Sequence, residues 1–150
     1  MDTRFWGPSA WKMLHSLASV YPDRQAADKD YGRFFRLLPK VLPCCYCRDS
    51  LKEYYKVLPF PSQPDQKRLS RWLYNIHNRV NQKLRNQGNP VENDPSFTRI
   101  IKKYSPDMIY IYLDDIWDFI YSIGLIECIK YINLIQACHH YQKQQKQLKR

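Results

Sequence analysis

The sequence predicts an all-α protein, and three observations carry that prediction. Only four of its 150 residues are glycine, period-two alternation of β-branched residues is hard to find, and apolar residues recur instead at three- and four-residue steps. With 44% apolar or aromatic residues the chain can build a core, its length suits one domain with an appendage, and the missing alternation disfavours a sandwich or barrel.

A first helix is expected to begin near Pro8 and Ser9, since proline suits a first-turn position, with Trp11, Leu14, His15 and Ala18 on one face and an end before Tyr21-Pro22. A second is expected over 26–38, with Tyr31, Phe34, Phe35 and Leu38 inward and Pro39 closing it. Pro43 introduces a third from Cys44 to about Leu58, where Leu51, Tyr54, Tyr55 and Leu58 recur at helical spacing. Pro59, Pro61 and Pro64 then enforce a loop. The clearest helix is the fourth, over 66–86, where Leu69, Trp72, Leu73, Ile76, Val80 and Leu84 trace one stripe. A linker over 86–96 carries Gly88, Pro90 and Pro95, and a short fifth helix reaches Tyr104 before Pro106 breaks it. From Asp107 to about Gln142 the pattern is again helical, with Gly124 as a break. The expectation is therefore a four-helix core, a short fifth helix and a helical C-terminal extension.

A net charge of +10 suits an acidic partner such as nucleic acid, anionic lipid or a phosphate-bearing cofactor. Part of it, Lys143, Lys146, Lys149 and Arg150, lies in a Gln-rich tail that reads equally as solubilising sequence. No secretory or transit leader is legible at the N-terminus. The long apolar stretch from Met108 to Leu125 contains Asp114, Asp115 and Asp118, each costing ~2.5–3.5 kcal/mol at a bilayer centre, so no membrane span is expected.

Five cysteines, Cys44, Cys45, Cys47, Cys128 and Cys138, do not resemble a secreted disulfide framework. Cys44 and Cys47 stand three apart where a helix begins, on one face, with Cβ atoms ~5–6 Å apart and within small adjustment of a disulfide. The helix N-terminus favours a thiolate there. Cys45 is turned about 100° away and reads as a packed or surface thiol. Half a zinc site competes with this redox reading, but Cys128, Cys138, His139 and His140 could complete it only across a long separation. Cys128 and Cys138 themselves stand ~15 Å apart along an unbroken helix, too far to pair.

Polar groups also interrupt the apolar faces: His15 four residues after Trp11, and His77, Asn78 and Asn81 beside Ile76 and Val80. Each costs on the order of 1–3 kcal/mol if buried unpaired, so they have partners, either within the core or on a bound aromatic cofactor. If the cysteine pair is an oxidase a flavin is the natural intermediary, because a dithiol gives up two electrons together whereas oxygen reacts sluggishly with thiols. Lys83 and Arg85 could meet its pyrophosphate, or form the solvated end of a helix.

Taken together, these residues resemble the Erv/ALR sulfhydryl oxidases. Trp6-Gly7-Pro8, Trp11, Leu14-His15, Ala18 and Tyr21-Pro22 are similar to that family's opening helix, Leu42-Pro43-Cys44 through Cys47 to its redox segment, and Trp72, His77-Asn78, Val80-Asn81 and Leu84 to its W…HN-x-VN-x-x-L signature. The resemblance implies an FAD-binding helical bundle, usually a homodimer, that turns two thiols and O2 into a disulfide and hydrogen peroxide. It makes Cys44 the interchange cysteine facing substrate protein thiols and Cys47 the flavin-proximal one. It assigns the FAD site to Trp6, Gly7, Trp11, His15, Trp72, His77, Asn78, Val80, Asn81 and Lys83. It divides the chain into an oxidase domain over 1–104 and an extension with a basic tail over 105–150, and it provides no metal site.

Three departures stand out, one being that the tail holds no obvious shuttle C-x-x-C pair. Arg85-Asn86-Gln87 replaces a frequent Gly-Lys-Pro, and Tyr74 stands where many members begin a structural disulfide. The trimmed domain resembles the forms encoded by large cytoplasmic DNA viruses, which implies action in the host cytoplasm or virion; no membrane partner is expected, and nucleic acid is the less favoured partner. A competing reading is a basic helical adaptor with structural cysteines that binds nucleic acid or an acidic partner, and a further one is a disulfide-exchange enzyme without cofactor. The first predicts salt-sensitive DNA binding by a colourless protein, the second no oxygen consumption.

Overall fold

The computed structural model describes residues 3–21, 25–106 and 108. These form five helices and no strand: α1 (Thr3–Ser19), α2 (Gln25–Val41), α3 (Cys45–Val57), α4 (Gln66–Asn86) and α5 (Phe97–Lys103). The all-α expectation holds for them, while the expected helices beyond Asp107, the Gln-rich tail, Cys128 and Cys138 lie outside the described residues.

The longest of the described helices, α4, is the frame. The Asp65 carboxylate caps it by accepting from the Arg68 amide at 2.7 Å. Leu69, Trp72, Leu73 and Ile76 are buried along one stripe, as the spacing predicts, and α1, α3 and α5 pack against this helix while α2 packs on α3. Side chains of α4 also complete the C-terminus of α1: the Ser70 hydroxyl donates to the Ala18 carbonyl at 3.4 Å and the Gln66 amide to that of Ser19. Two carbonyls left open by the end of a helix are thereby satisfied.

Two helix boundaries differ from the sequence expectation, both at prolines. α1 starts at Thr3, five residues before Pro8, and carries that proline inside it. Burial of Trp6 and Ala10 in the core favours continuing the helix across the proline. α2 likewise runs through Pro39 to Val41 rather than closing at residue 38. Pro39 has no amide to offer the Phe35 carbonyl one turn back. The Tyr55 hydroxyl of α3 donates to that carbonyl instead, at 2.7 Å, so the proline that should end α2 becomes the place where α3 is bonded to it. Phe35 and Leu38 are buried as expected.

At the centre, Trp72 meets the rings of Phe35, Tyr55 and Phe60 edge-on, with centroids 6.1, 5.1 and 5.2 Å away, the geometry that ring quadrupoles favour. Its indole N–H donates to the Leu58 carbonyl at 2.9 Å, at the C-cap of α3.

The 87–96 segment turns back along α4. Gly88 takes φ +77°, where a side chain would be strained. Asp94 accepts from the Asn81 amide at 2.8 Å and pairs with the Arg85 guanidinium at 2.7 Å. The Tyr74 hydroxyl donates to the Pro95 carbonyl at 3.0 Å, and the Arg71 guanidinium lies 3.4 Å from the centroid of Phe97. Polar and aromatic contacts thus hold this segment at the position where the resemblance leads one to look for a disulfide. No helix among the described residues is long and apolar enough to cross a membrane.

Candidate active site

Cys44 is the N-cap of α3, with extended backbone (φ −97°, ψ 120°), and its sulfur accepts from the Cys47 amide at 3.3 Å. The cap position ordinarily held by a serine or aspartate oxygen is filled by a thiol sulfur. Partial burial opposes a Cys44 thiolate, but the Cys47 thiol and the amides of Cys47 and Tyr46 donate to it and more than offset that cost, so its pKa falls below the ordinary thiol value. Cys47 moves the other way. Burial, its hydrogen bond to Cys44 and the charge of that neighbour push its thiol up to about 12, against the pull of the Lys83 ammonium. In the reduced pair Cys44 is therefore the thiol that ionises first and Cys47 the one that keeps its proton longer. Cys45 is exposed, in line with its rotation away from the pair.

Both sulfurs open into a cavity of about 960 Å³ between α1, α3, α4 and the 87–96 segment. Among the ten residues the resemblance assigns to the cofactor, Trp6, Gly7, Trp11, His77, Val80, Asn81 and Lys83 line it. A Cβ added at Gly7 would meet nothing within 4 Å. Trp11 stacks on His77 with centroids 3.8 Å apart and planes 9° from parallel, presenting a two-ring wall.

The other three residues stand behind the wall. His15 is buried, with Nε2 3.0 Å from Nδ1 of His77 and its ring stacked on Tyr104 at 4.8 Å. Trp72 is held in the core by its rings and its bond to Leu58, and Asn78 is half-buried, turned about 100° beyond His77 on α4. Burial is the largest cause that holds both imidazoles down, His15 at about 3 and His77 at about 4, so both are neutral near pH 7 and one donates to the other.

Among the described residues, the ionised groups on the cavity lining are cationic. Arg4, Lys12, Lys83 and Lys103 are on its lining and no Asp or Glu is. The Lys83 ammonium also donates to the Ser50 hydroxyl, itself on the lining, one turn after Cys47 on α3. Arg85 is not on the lining, because Asp94 and the Glu92 carbonyl engage its guanidinium. Sequence reasoning missed Ser50, Asp94, Tyr104 and the wall formed by Asn89, Pro90 and Val91. Ser50 was legible from its i, i+3 relation to Cys47, whereas the linker residues have no period to read. Among the described residues no three His, Cys, Asp or Glu side chains gather as a metal site.

The model of the Erv1/Alr family matches residues 8–104. The chain belongs to the Erv1/Alr family. It is 33% identical to the mitochondrial FAD-linked sulfhydryl oxidase ERV1 of Saccharomyces cerevisiae, over 56% of this chain and 45% of that protein. It is 34% identical to the FAD-linked sulfhydryl oxidase ERV1 of Arabidopsis thaliana, over 52% and 41%. A viral relative, the putative FAD-linked sulfhydryl oxidase 347L of Invertebrate iridescent virus 6, is 31% identical over 56% of this chain and 83% of its own length. The chain thus spans less than half the length of the yeast and plant relatives that it matches. Within this Erv1/Alr member, the matched region contains the cysteine pair and all of the lining from Pro8 onward.

Proposed function

We propose that the protein is an FAD-dependent thiol oxidase that converts two substrate thiols and O2 into a disulfide and H2O2. The observation that carries this reading is the Cys44–Cys47 pair at the start of α3, on the lining of an aromatic, cationic cavity with no carboxylate among its described residues. That cavity fits the group the relatives' names specify. Its volume lies in the range of cofactor sites, Trp11 and His77 suit a flat ring, and Lys83, Arg4, Lys12 and Lys103 suit a pyrophosphate.

A substrate thiolate attacks the Cys44 sulfur of the closed pair, the S–S bond breaks, and Cys47 departs and takes a proton, which its high pKa favours. A second substrate thiolate attacks the substrate sulfur of the mixed disulfide. Cys44 then leaves as a thiolate held by the Cys47 thiol and by the amides of Cys47 and Tyr46. Two electrons now reside on the pair. FAD, when bound, supplies an acceptor for an electron pair and a route onward to oxygen. Reclosing the pair requires the Cys47 proton to leave, and the Lys83 ammonium favours that loss. Trp6, Gly7, Trp11, His77, Val80, Asn81 and Lys83 are the residues that would hold the cofactor, and His15, Trp72 and Asn78 would support them from behind.

In keeping with the family resemblance we take residues 1–104 as the oxidase domain, 105–150 as an extension, and a homodimer as the working form. Host cytoplasm as the place of action rests on the viral relative alone. The purified protein should show flavin absorption bands and consume oxygen with dithiothreitol. Cys47→Ser should keep the bands and lose the oxygen uptake. A folded protein that takes up no FAD, or a fully active Cys47→Ser variant, overturns the reading.

A further inference from the structure

Among the described residues, the surface beside Cys44 carries a run of exposed cations on α2. On α2, Arg33, Arg36 and Lys40 are exposed and fall at three- and four-residue steps, so they form one stripe leading toward the redox cysteine. None of the three has a carboxylate partner among the described residues, and the Arg36 guanidinium rests instead 4.9 Å from the centroid of Phe60. The acids of the neighbouring α3 are already engaged, Asp49 with Lys52 at 2.8 Å and Glu53 with Lys56 at 2.7 Å. From Arg33 to Arg48 the sequence holds no Asp or Glu at all. At the end of the stripe sit two exposed apolar side chains, Val41 at 60% and Tyr46 at 78% exposure, on either side of Cys44 in sequence. Large exposed apolar groups beside a reactive sulfur are the kind of surface that contacts a partner chain.

We propose that this face is the substrate-docking surface, and that the preferred substrate is an acidic protein segment whose cysteine carries an apolar neighbour. The inference rests on the oxidase reading. Lys40 lies four residues before Cys44, no more than ~14 Å along the chain, and Arg33 lies ~10 Å further down α2. An extended peptide with its thiol at Cys44 advances ~3.3 Å per residue, so carboxylates ~4–8 residues from the reactive cysteine would meet the stripe. Val41 and Tyr46 would contact the residues next to the thiol. The cations add a long-range attraction that selects acidic substrates and speeds encounter, and salt screens it.

The test compares the FAD-loaded full-length protein on three dithiol peptides and on dithiothreitol, by oxygen consumption at low and high salt. One peptide carries acids 4–8 residues from the thiol, one carries lysines there, and one carries the acids ~15 residues away. The first should be favoured at low salt by about tenfold in kcat/KM, and the preference should collapse at ~0.5 M salt. Arg33→Glu with Lys40→Glu should reverse the order of acidic and basic peptides while leaving dithiothreitol turnover unchanged, since neither residue lines the cavity. Equal rates on acidic and basic peptides at low salt, or an unaltered preference in the double variant, would overturn the docking surface with the oxidase intact. Absence of dithiothreitol oxidation would instead remove the oxidase reading itself.

Discussion

Cys44 and Cys47 differ by position alone. One is the helix cap, receiving hydrogen bonds at its sulfur, and the other is inside the first turn, giving one away. In a reduced Cys45→Ser background, iodoacetamide at pH 7 should therefore alkylate Cys44 well before Cys47, as read by peptide fragmentation mass spectrometry, and first labelling at Cys47 would contradict the assignment. Cys47→Ser replaces the thiol donor with a hydroxyl but keeps the amides, so the Cys44 pKa should stay below the ordinary thiol value. Lys83→Met removes the cation that favours loss of the Cys47 proton. The rate of electron transfer from the reduced pair should then fall by roughly tenfold per lost 1.4 kcal/mol, and its pH optimum should move upward.

At the scale of elements, the joint between α2 and α3 depends on a missing hydrogen bond. Pro39 leaves the Phe35 carbonyl open and Tyr55 fills it. Tyr55→Phe should cost about 1–2 kcal/mol in chemical denaturation. The same change in a Pro39→Ala background should cost less, because the restored amide can reach that carbonyl, and a double-mutant cycle without coupling would refute the account. Asp94 has a comparable role for the 87–96 segment. Its carboxylate is held below the usual range chiefly by Arg85, with Asn81 adding to the effect. Because Asn89, Pro90 and Val91 line the cavity, Asp94→Ala should weaken FAD retention more than it lowers stability, measured as cofactor dissociation against denaturation midpoint. The pair is partly exposed, so the stability cost alone should be ~1 kcal/mol or below.

For the molecule as a whole, the buried histidines set the response to acid. His15 and His77 are held at about 3 and about 4, against 6.5 for the free side chain, so below pH 6.5 the unfolded chain binds protons that the folded one refuses. Stability therefore rises with pH across this window. It is complete above pH 6.5, falls as pH drops toward 4, and the loss is full once pH passes below both folded values. The apoprotein should lose on the order of several kcal/mol between pH 6.5 and 4, followed by denaturant titration at each pH. His77→Gln should flatten the curve, and an unchanged profile would mean that the two rings are not buried neutral.

Period and punctuation are legible along the chain: α4 falls at 66–86 as its stripe dictates, and the thiol pair at a helix start can be read because spacing along one helix is fixed by the backbone. The family is legible there too, because Trp6-Gly7-Pro8, the Cys44–Cys47 pair and the His77-Asn78 signature occur in order. That Pro8 and Pro39 sit inside helices was set by packing, since the burial of Trp6 and the donor from Tyr55 come from partners distant in the chain. Packing likewise separated the wall of the cavity from its support. His15 and His77 look alike along the sequence, yet one faces the cavity and the other faces its neighbour, and facing is a property of packed helices rather than of any one of them. The lowered pKa of Cys44 was set in the same way, because capping depends on where a helix actually begins, and a boundary one residue earlier would have given the sulfur's place to the Pro43 ring.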